Sequence, residues 1–402
     1  MSTPTLERPV STREQQKQDL VPVTGIVDRQ DQGGFLRIGG YLPGPGDLYI
    51  PPALIRQYGL RPGDLIEGGA SNKPDRPDKA AKAAKAAKAD PLMRVDTVNG
   101  LLARPGMVRP QFAALTPVHP RQRLRLESAP GPGQLITRVV DLLTPIGKGQ
   151  RGLIVAPPKT GKTVLLQALA KAVTRNHHEC HLMVVLLDER PEEVTDMRRS
   201  VDAEILASTF DRPAHQHIAI AELAVERAKR LAEQGQDVII LLDSITRLCR
   251  AHNANAKSGG RTLTGGIDAS SVAAPKQLFG TARNLEEGGS VTIIATALTD
   301  TGSRADDYYF EELKGTGNME LRLDRNLADR RVFPAVDIAG SSTRRDDLLV
   351  PADEMDAMWR LRRVLRGQSN QQGMEVLLER LKQTSGNSEF LQRIRQTTPS
   401  GS

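Results

Sequence analysis

Only two cysteines, Cys180 and Cys249, occur in 402 residues. That excludes a disulfide-rich scaffold. Neither has a partner at metal-ligand spacing, so both are expected to be small buried core residues in a reducing compartment. Aromatics make up only 3% of the chain, so each one in a binding context is unusually informative. No apolar run approaches the roughly 18 residues of a membrane span. The first 20 residues lack an apolar stretch with a cleavage site, which excludes a secretory signal. A cytoplasmic protein without a membrane partner is expected.

What the chain does have is charge and length. Net charge is +7 and the isoelectric point about 9.5. This balance favours a polyanionic partner, although many basic enzymes share it. Hydrophobic residues at 39% and charged residues at 26% describe a globular chain of two or three domains.

Residues 1–20, rich in Thr, Gln, Arg and Pro, are expected to be disordered. From Val21 to about Ile66, short β-like runs alternate with Gly/Pro turns, which predicts a small barrel or sandwich. Residues 70–90 form a biased insert in which Lys79, Lys82, Lys85 and Lys88 recur every third residue. That period drifts around a helix and builds no apolar face. The insert reads as a solvated, partly helical linker or as an auxiliary arm for phosphates. Strand-like patterning returns at Leu92–Leu102. From Gln134 onward the apolar runs Leu153–Val155, Leu182–Leu187, Val238–Leu242 and Val291–Leu298 alternate with helical patterns. Such alternation predicts an α/β domain with a parallel sheet, spanning 135–390 with C-terminal helices, and a tail at 391–402.

Ala156-Pro157-Pro158-Lys159-Thr160-Gly161-Lys162-Thr163 is a phosphate-binding loop of the G-x-x-x-x-G-K-[ST] type, with Ala in the first position. It follows a predicted strand and opens a predicted helix, the context that the motif requires. Backbone N–H groups would cradle phosphates, Lys162 would hold the β- and γ-phosphates, and Thr163 would ligate Mg²⁺. Val238–Asp243 is an apolar strand ending in a carboxylate, the usual source of the second Mg²⁺-linked group. Leu186-Leu187-Asp188-Glu189-Arg190 puts a carboxylate at the end of another strand, where a water-activating base belongs. Glu189 is the expected base. Asp188, Glu192 and Glu193 compete, but the last two read better as charges at a helix N-terminus.

With the strings at 151–163, 186–199, 237–248, 263–268, 283–298, 310–321 and 331–338, the chain resembles the Rho family of bacterial transcription termination factors over about 20–390. The resemblance implies a RecA-like phosphate-loop ATPase domain behind an N-terminal OB-type β-barrel, the latter at 21–127. It implies a homohexameric, RNA-dependent ATPase and helicase that uses ATP and Mg²⁺, pulls on nascent single-stranded RNA and meets the RNA polymerase elongation complex. Catalytic roles fall on Lys162, Glu189, Asp243 and Arg344, the last an arginine finger reaching the neighbouring subunit. Arg247 would lie near the subunit interface, and Arg331 is a candidate second cation. Nucleotide contacts fall on Gly147, Lys148, Gly149, Gln150, Arg151 and Gly152. They continue through Lys159, Thr160, Gly161, Lys162, Thr163 and Val164 to Arg190 and Phe333, which would stack on adenine.

The same resemblance places RNA contacts on Gln32, Gly33, Gly34, Phe35, Leu36, Arg37, Asp47, Leu48 and Tyr49, and on pore-loop residues Arg261, Thr264 and Arg304. Phe35 and Tyr49 taken alone read as barrel core. Two family aromatics are missing: Gly33 stands at one position, and the Lys/Ala insert occupies the region of the other. The small helical bundle that usually precedes the barrel is also expected to be absent. Two other readings stay open: an RNA-binding protein without catalysis, and a ring ATPase of the rotary or protein-export type.

Overall fold

The computed structural model describes residues 20–30, 33–71, 89–127, 134–256, 262–263, 267–268 and 270–397. The expected N-terminal tail and most of the Lys/Ala insert therefore lie outside the described residues. The chain divides into two units, residues 1–109 and 110–402.

In the first unit, alternation decides which side chains enter the core. Strands β1 (Leu20–Gln30), β2 (Gly33–Arg37) and β3 (Leu48–Ile50) precede helix α1 (Pro52–Tyr58); β4 (Leu65–Ser71), β5 (Leu92–Val98) and β6 (Leu101–Leu102) follow. They form an antiparallel sheet in the order β3-β2-β1-β4-β5-β6. A bridge between Tyr49 and Pro91, with Tyr49 N–H donating to Asp90 O at 2.7 Å, joins β3 to the start of β5 and curls the sheet towards a barrel. Val27, Leu36, Leu48, Ile50, Ile66, Val95 and Val98 fill the interior. Every second residue faces inward, so Leu36 is core while Phe35 and Arg37 share the opposite face.

The second unit begins earlier than expected. Phe112 is buried, β7 (Pro117–Val118) and β8 (Arg123–Leu124) follow, and α2 (Gln134–Leu143) comes next. Val118 pairs with Asn284, and Arg123 with Gly147. Residues 110–127 therefore belong with the second unit, which corrects the 21–127 boundary. Their strands are two residues long, too short to leave a pattern in the sequence.

Next come β9 (Ile146–Gly147), β10 (Arg151–Ala156), α3 (Lys162–Asn176), β11 (Cys180–Glu189), α4 (Pro191–Ser200), β12 (Glu204–Thr209), α5 (Ala214–Ala232), β13 (Asp237–Asp243) and α6 (Ile245–Ala254). Strands β14 (Thr262–Leu263) and β15 (Ile267–Asp268), α7 (Ser270–Phe279), β16 (Arg283–Leu285), β17 (Ser290–Leu298), α8 (Arg304–Lys314), β18 (Met319–Arg322), α9 (Arg325–Asp329) and β19 (Ser342–Thr343) follow. The chain ends in α10 (Ala352–Arg366), α11 (Asn370–Lys382) and α12 (Asn387–Thr397). Helix α12 runs on through much of the expected tail, because Phe390, Leu391 and Ile394 are buried against the core.

The main sheet has the order β12-β11-β13-β17-β10-β18-β19, parallel from β12 to β18. Only β19, beside β18, and the β16–β7 extension run antiparallel. The four apolar runs are β10, β11, β13 and β17, almost wholly buried between helices. Cys249 is buried as expected. Cys180 is only half-buried, because it opens β11 at the rim of the sheet.

One buried acid ties residues 126–127 to α2. Asp141 accepts hydrogen bonds from the N–H groups of Leu126 (3.0 Å) and Glu127 (2.7 Å), with Arg123 Nη2 at 3.7 Å. Burial pushes its carboxyl up to about 6, against the pull of Arg123 and the two N–H groups. The folded pKa lies above the unfolded one, so the native state gains from this group as pH falls from about 6 towards 4. Its charged form costs the fold on the order of 3 kcal/mol at neutral pH. Asp141→Asn is expected to remove that dependence. The gap between the urea midpoints of variant and wild type should move in the variant's favour as pH rises from about 4 to 7; a pH-independent gap refutes the assignment.

Candidate functional site

Loop geometry builds the first half of the site. After β10 the chain turns through Pro157–Gly161 into α3. Lys159 and Gly161 have φ of 65° and 89°, and only glycine takes that region without steric cost. Thr160 Oγ1 donates to Pro157 O at 2.7 Å and closes the turn. Gly161 caps α3 without a side chain, so the first-turn N–H groups remain available to an anion. Ala156 is the last residue of β10, with no positive φ. Alanine therefore fits where the motif has its first glycine.

Strand order supplies the second half. Strand β13 delivers Asp243 and β11 delivers Glu189, and both side chains converge on Lys162. Its Nζ lies 2.6 Å from Asp243 Oδ1 and 2.9 Å from Glu189 Oε1. Burial pulls the Lys162 pKa down, but the charges of Asp243 and Glu189 outweigh it and raise the value overall. Burial and the neighbouring Asp243 hold Glu189 above the ordinary carboxylate range, despite Lys162 and Arg247. A carboxylate poised upward in this way suits proton acceptance.

Glu189 is aimed by a local irregularity. Asp188 has φ of 55°, and the β11–β12 register slips between Leu187 and Glu189. Arg247 binds both the Asp188 carbonyl and its carboxylate, and reaches Glu189 Oε1 at 3.5 Å. Asp188 is thus paired away from the site. Thr296 of β17, the strand between β10 and β13, donates to Asp243 Oδ1 at 2.6 Å. Sequence reasoning missed Thr296, which reads as one more residue of an apolar run.

Beside the loop is a cavity of about 410 Å³, lined by Ile136, Val164, Leu165, Leu323, Phe333, Pro334 and Ala335 together with Lys159, Thr160 and Gly161. Its apolar walls and the half-exposed Phe333 ring suit a flat base next to the phosphates. Arg190 is exposed at the start of α4, and its Nη1 lies 3.6 Å from Glu193 Oε1.

Two groups of expected site residues lie away from their own chain's phosphate loop, and a third group is not described. Gly147–Gly152 lie at the opposite end of β10 from the phosphate loop. Lys148 is spent on Glu179 (3.0 Å) and Asp237 (2.7 Å), Gly149 N–H on Thr292, and Gln150 on Asn318. Arg151 binds the carbonyls of Thr316 and Ala282. These residues do not line their own chain's nucleotide pocket. Arg344 is exposed just past β19, at the same far end of the sheet. Gln32, Arg261 and Thr264 lie outside the described residues.

Arg304 is exposed at the first turn of α8. The loop before it is anchored: Thr301 Oγ1 donates to the fully buried Asp306 at 2.6 Å, and Arg250 Nε does so at 2.9 Å. Arg250 and Arg247 are one turn apart on α6, so one helix touches both the Glu189 strand and the Arg304 loop.

In the barrel unit, Phe35 pairs with Tyr49 across β2 and β3, with ring centroids 6.2 Å apart at 73°. The Arg37 guanidinium sits 5.0 Å over the Phe35 ring and is held by Asp47 (2.7 Å) and Asp28 (2.9 Å). Phe35 is half-buried and lies outside the barrel core, so the core reading does not hold for it, whereas Tyr49 is buried as that reading had it. Leu36 and Leu48, expected as RNA contacts, do point into that core. A Cβ on Gly33 would sit 2.9 Å from Tyr49 Oη, so the Tyr49 ring fills the space a side chain there would need.

A model of the ATP synthase alpha/beta family nucleotide-binding domain matches residues 137–343, and a model of the Rho termination factor RNA-binding domain matches residues 23–103. The chain is 54% identical over 402 residues to a transcription termination factor Rho from Streptosporangium roseum, covering 99% of this chain and 100% of the relative. It is 58% identical to a Rho from Streptomyces coelicolor (94% of this chain, 87% of the relative). A Rho from Streptomyces lividans is 56% identical over 94% of this chain, which spans only 52% of that relative's length. Among solved structures, an ATPase of the type III secretion system of pathogenic bacteria superposes with a TM-score of 0.59 at 21% identity, over 76% of this chain and 94% of its own. That likeness shows the RecA-like fold alone. No helix among the described residues is long and apolar enough to cross a membrane. A barrel matching the Rho RNA-binding domain is joined to this ATPase fold, and full-length relatives exceed half identity, so the chain belongs to the Rho family of transcription termination factors.

Proposed function

We propose that the chain is an RNA-stimulated ATP hydrolase that acts as a homohexameric ring and helicase, pulling on nascent RNA to end transcription. One observation carries the reading. Lys162, Glu189 and Asp243 converge at a phosphate loop in a chain that also bears a single-strand-binding type of barrel. The working partners would be single-stranded RNA and the RNA polymerase elongation complex, in the cytoplasm. The working domains would be a barrel, with its basic insert, and an ATPase unit beginning at residue 110.

Among the described residues, no three acidic, histidine or cysteine side chains converge to hold a metal by themselves. A cation would therefore enter with the triphosphate. The Thr163 hydroxyl and the Asp243 carboxylate are hard oxygen donors that suit Mg²⁺, which when bound neutralises charge on the β- and γ-phosphates. Lys162 would exchange its two carboxylates for phosphate oxygens. Glu189, released from that cation, would take a proton from the attacking water. Phe333 would stack on adenine, and the exposed Arg190 would lie at the phosphate end. Arg344 would serve the neighbouring subunit.

On the barrel, Phe35 and Tyr49 would meet bases while Arg37 and Asp47 meet their edges. Arg304, with Arg261 and Thr264, would track the strand through the pore. The deciding measurement is ATP turnover titrated with RNA homopolymers. Turnover should rise severalfold with polypyrimidine RNA. A rate indifferent to every RNA would favour an export-type ring ATPase and overturn the proposal.

A further inference from the structure

Helix α10 has one clear inner face. Met355, Met358, Leu361 and Leu365 recur at helical spacing and are buried. Trp359 stands on the other side. It is the only tryptophan in the chain, and it is 57% exposed. Arg363 and Arg366, four and seven residues further on, fall on the Trp359 face and are also exposed.

Charge on this face is one-sided. The three acids of α10 are already paired: Asp353 with Arg395 at 3.1 Å, Glu354 with Arg123 at 2.9 Å and Asp356 with Arg360 at 2.8 Å. Among the described residues, no carboxylate lies within ion-pair distance of Arg363 or Arg366. Cations in the last turn suit the end of a helix, which accounts for the two arginines. It does not account for an indole left in water beside them, since tryptophan is usually buried or covered by a partner. An aromatic face flanked by unpaired arginines is the combination that single-stranded nucleic acid takes: a base stacks on the ring and the phosphates meet the cations. We propose that this face of α10 is a further contact for single-stranded RNA, in addition to the barrel and the pore loops. One base stacks on Trp359, and Arg363 and Arg366 pair with the phosphates beside it. Trp359 and Arg366 are about 10 Å apart along the helix axis, within reach of adjoining nucleotides of one strand. The inference rests on the RNA reading proposed above and adds a third site to it.

The sole tryptophan makes the test local. Full-length protein is titrated with an oligouridylate of about 12 nucleotides, within the usual span of a single-strand site. Trp359 emission is excited where tyrosine does not absorb, and binding itself is followed by the anisotropy of a labelled oligonucleotide. Emission should fall severalfold as the site fills. Arg363→Ser combined with Arg366→Ser should move the midpoint of this quenching about tenfold upward and lower its salt slope by about 1.4, roughly 0.7 for each phosphate contact removed. A bromouridine-substituted oligonucleotide should photocrosslink to the Trp359 peptide in wild type. In Trp359→Ala that adduct should be lost while adducts elsewhere persist and report a folded protein. RNA that binds without altering Trp359 emission or forming the adduct overturns the inference. Quenching unmoved by the two serine substitutions also overturns it, because the indole then senses a remote change. Emission that responds to protein dilution and not to RNA assigns the face to a second copy instead. If no RNA binds at all, the RNA reading itself fails, and the inference with it.

Discussion

Arg344→Ala is expected to lower the RNA-stimulated turnover of ATP by about 10³-fold or more while leaving ATP affinity nearly unchanged. The sheet register explains why the loss must be felt in a neighbour's site. Gly152 is level with Met319, and Met319 with Thr343. Strand β10 needs four more residues, about 13 Å, to reach the phosphate loop. Strand β19 runs antiparallel, so Arg344 steps further from that loop. Its backbone N–H is fixed to Asn318 O at 2.8 Å. A single arginine cannot span that length back to Lys162 of its own chain. If Arg344 acts on a transferring phosphoryl group, as proposed, it does so in the site of an adjacent copy. The distinguishing experiment mixes two inactive proteins, Arg344→Ala and Lys162→Ala. Mixed rings place an intact phosphate loop opposite an intact Arg344, so part of the turnover should return. Normal hydrolysis by Arg344→Ala alone, or mixtures as inactive as their components, would remove Arg344 from the reaction.

The same register shows what a sequence can and cannot disclose. The phosphate loop was legible because its chemistry is local: a strand, a glycine with positive φ and a helix start lie within eight residues. Buried runs such as Val238–Leu242 were legible because a strand covered on both faces is apolar throughout. Strand order is not local. Nothing near Thr296 indicates that β17 lies between β10 and β13, the arrangement that puts its hydroxyl on Asp243. Gly147–Gly152 follow the opposite logic. They are close to the loop in sequence, yet extended β10 carries them to the other edge of the sheet. Leu36 and Leu48 are set apart from Phe35 and Tyr49 for a related reason. A run of matching residues on a strand contributes only every second side chain to one face.

Glu189→Gln should reduce turnover by about 10²–10⁴-fold with ATP binding retained, because an amide of the same shape cannot take a proton from water. Before nucleotide arrives, Lys162 and Arg247 both offset the burial that raises this carboxyl. On the proposed reading Lys162 turns to the phosphates, and the nearer of the two cations that hold this carboxyl down is then withdrawn. Protonated Glu189 cannot act as base, so turnover at saturating ATP and RNA should fall as pH drops through that raised pKa. The acidic limb of the wild-type profile therefore belongs above the ordinary glutamate range. Arg247 keeps its hold on the Asp188 carbonyl in either state, so Glu189 stays aimed while its charge environment alters. In Glu189→Gln the limb should vanish and the residual rate should be flat across the same pH window. A variant that keeps both the wild-type rate and the wild-type limb would transfer the role to another group. Asp188 is a poor successor, since Arg247 already pairs its carboxylate. Asp243 is committed to Thr296 and Lys162. Among the side chains that converge on Lys162, only Glu189 gains basicity when that lysine departs without also being needed to hold the cation.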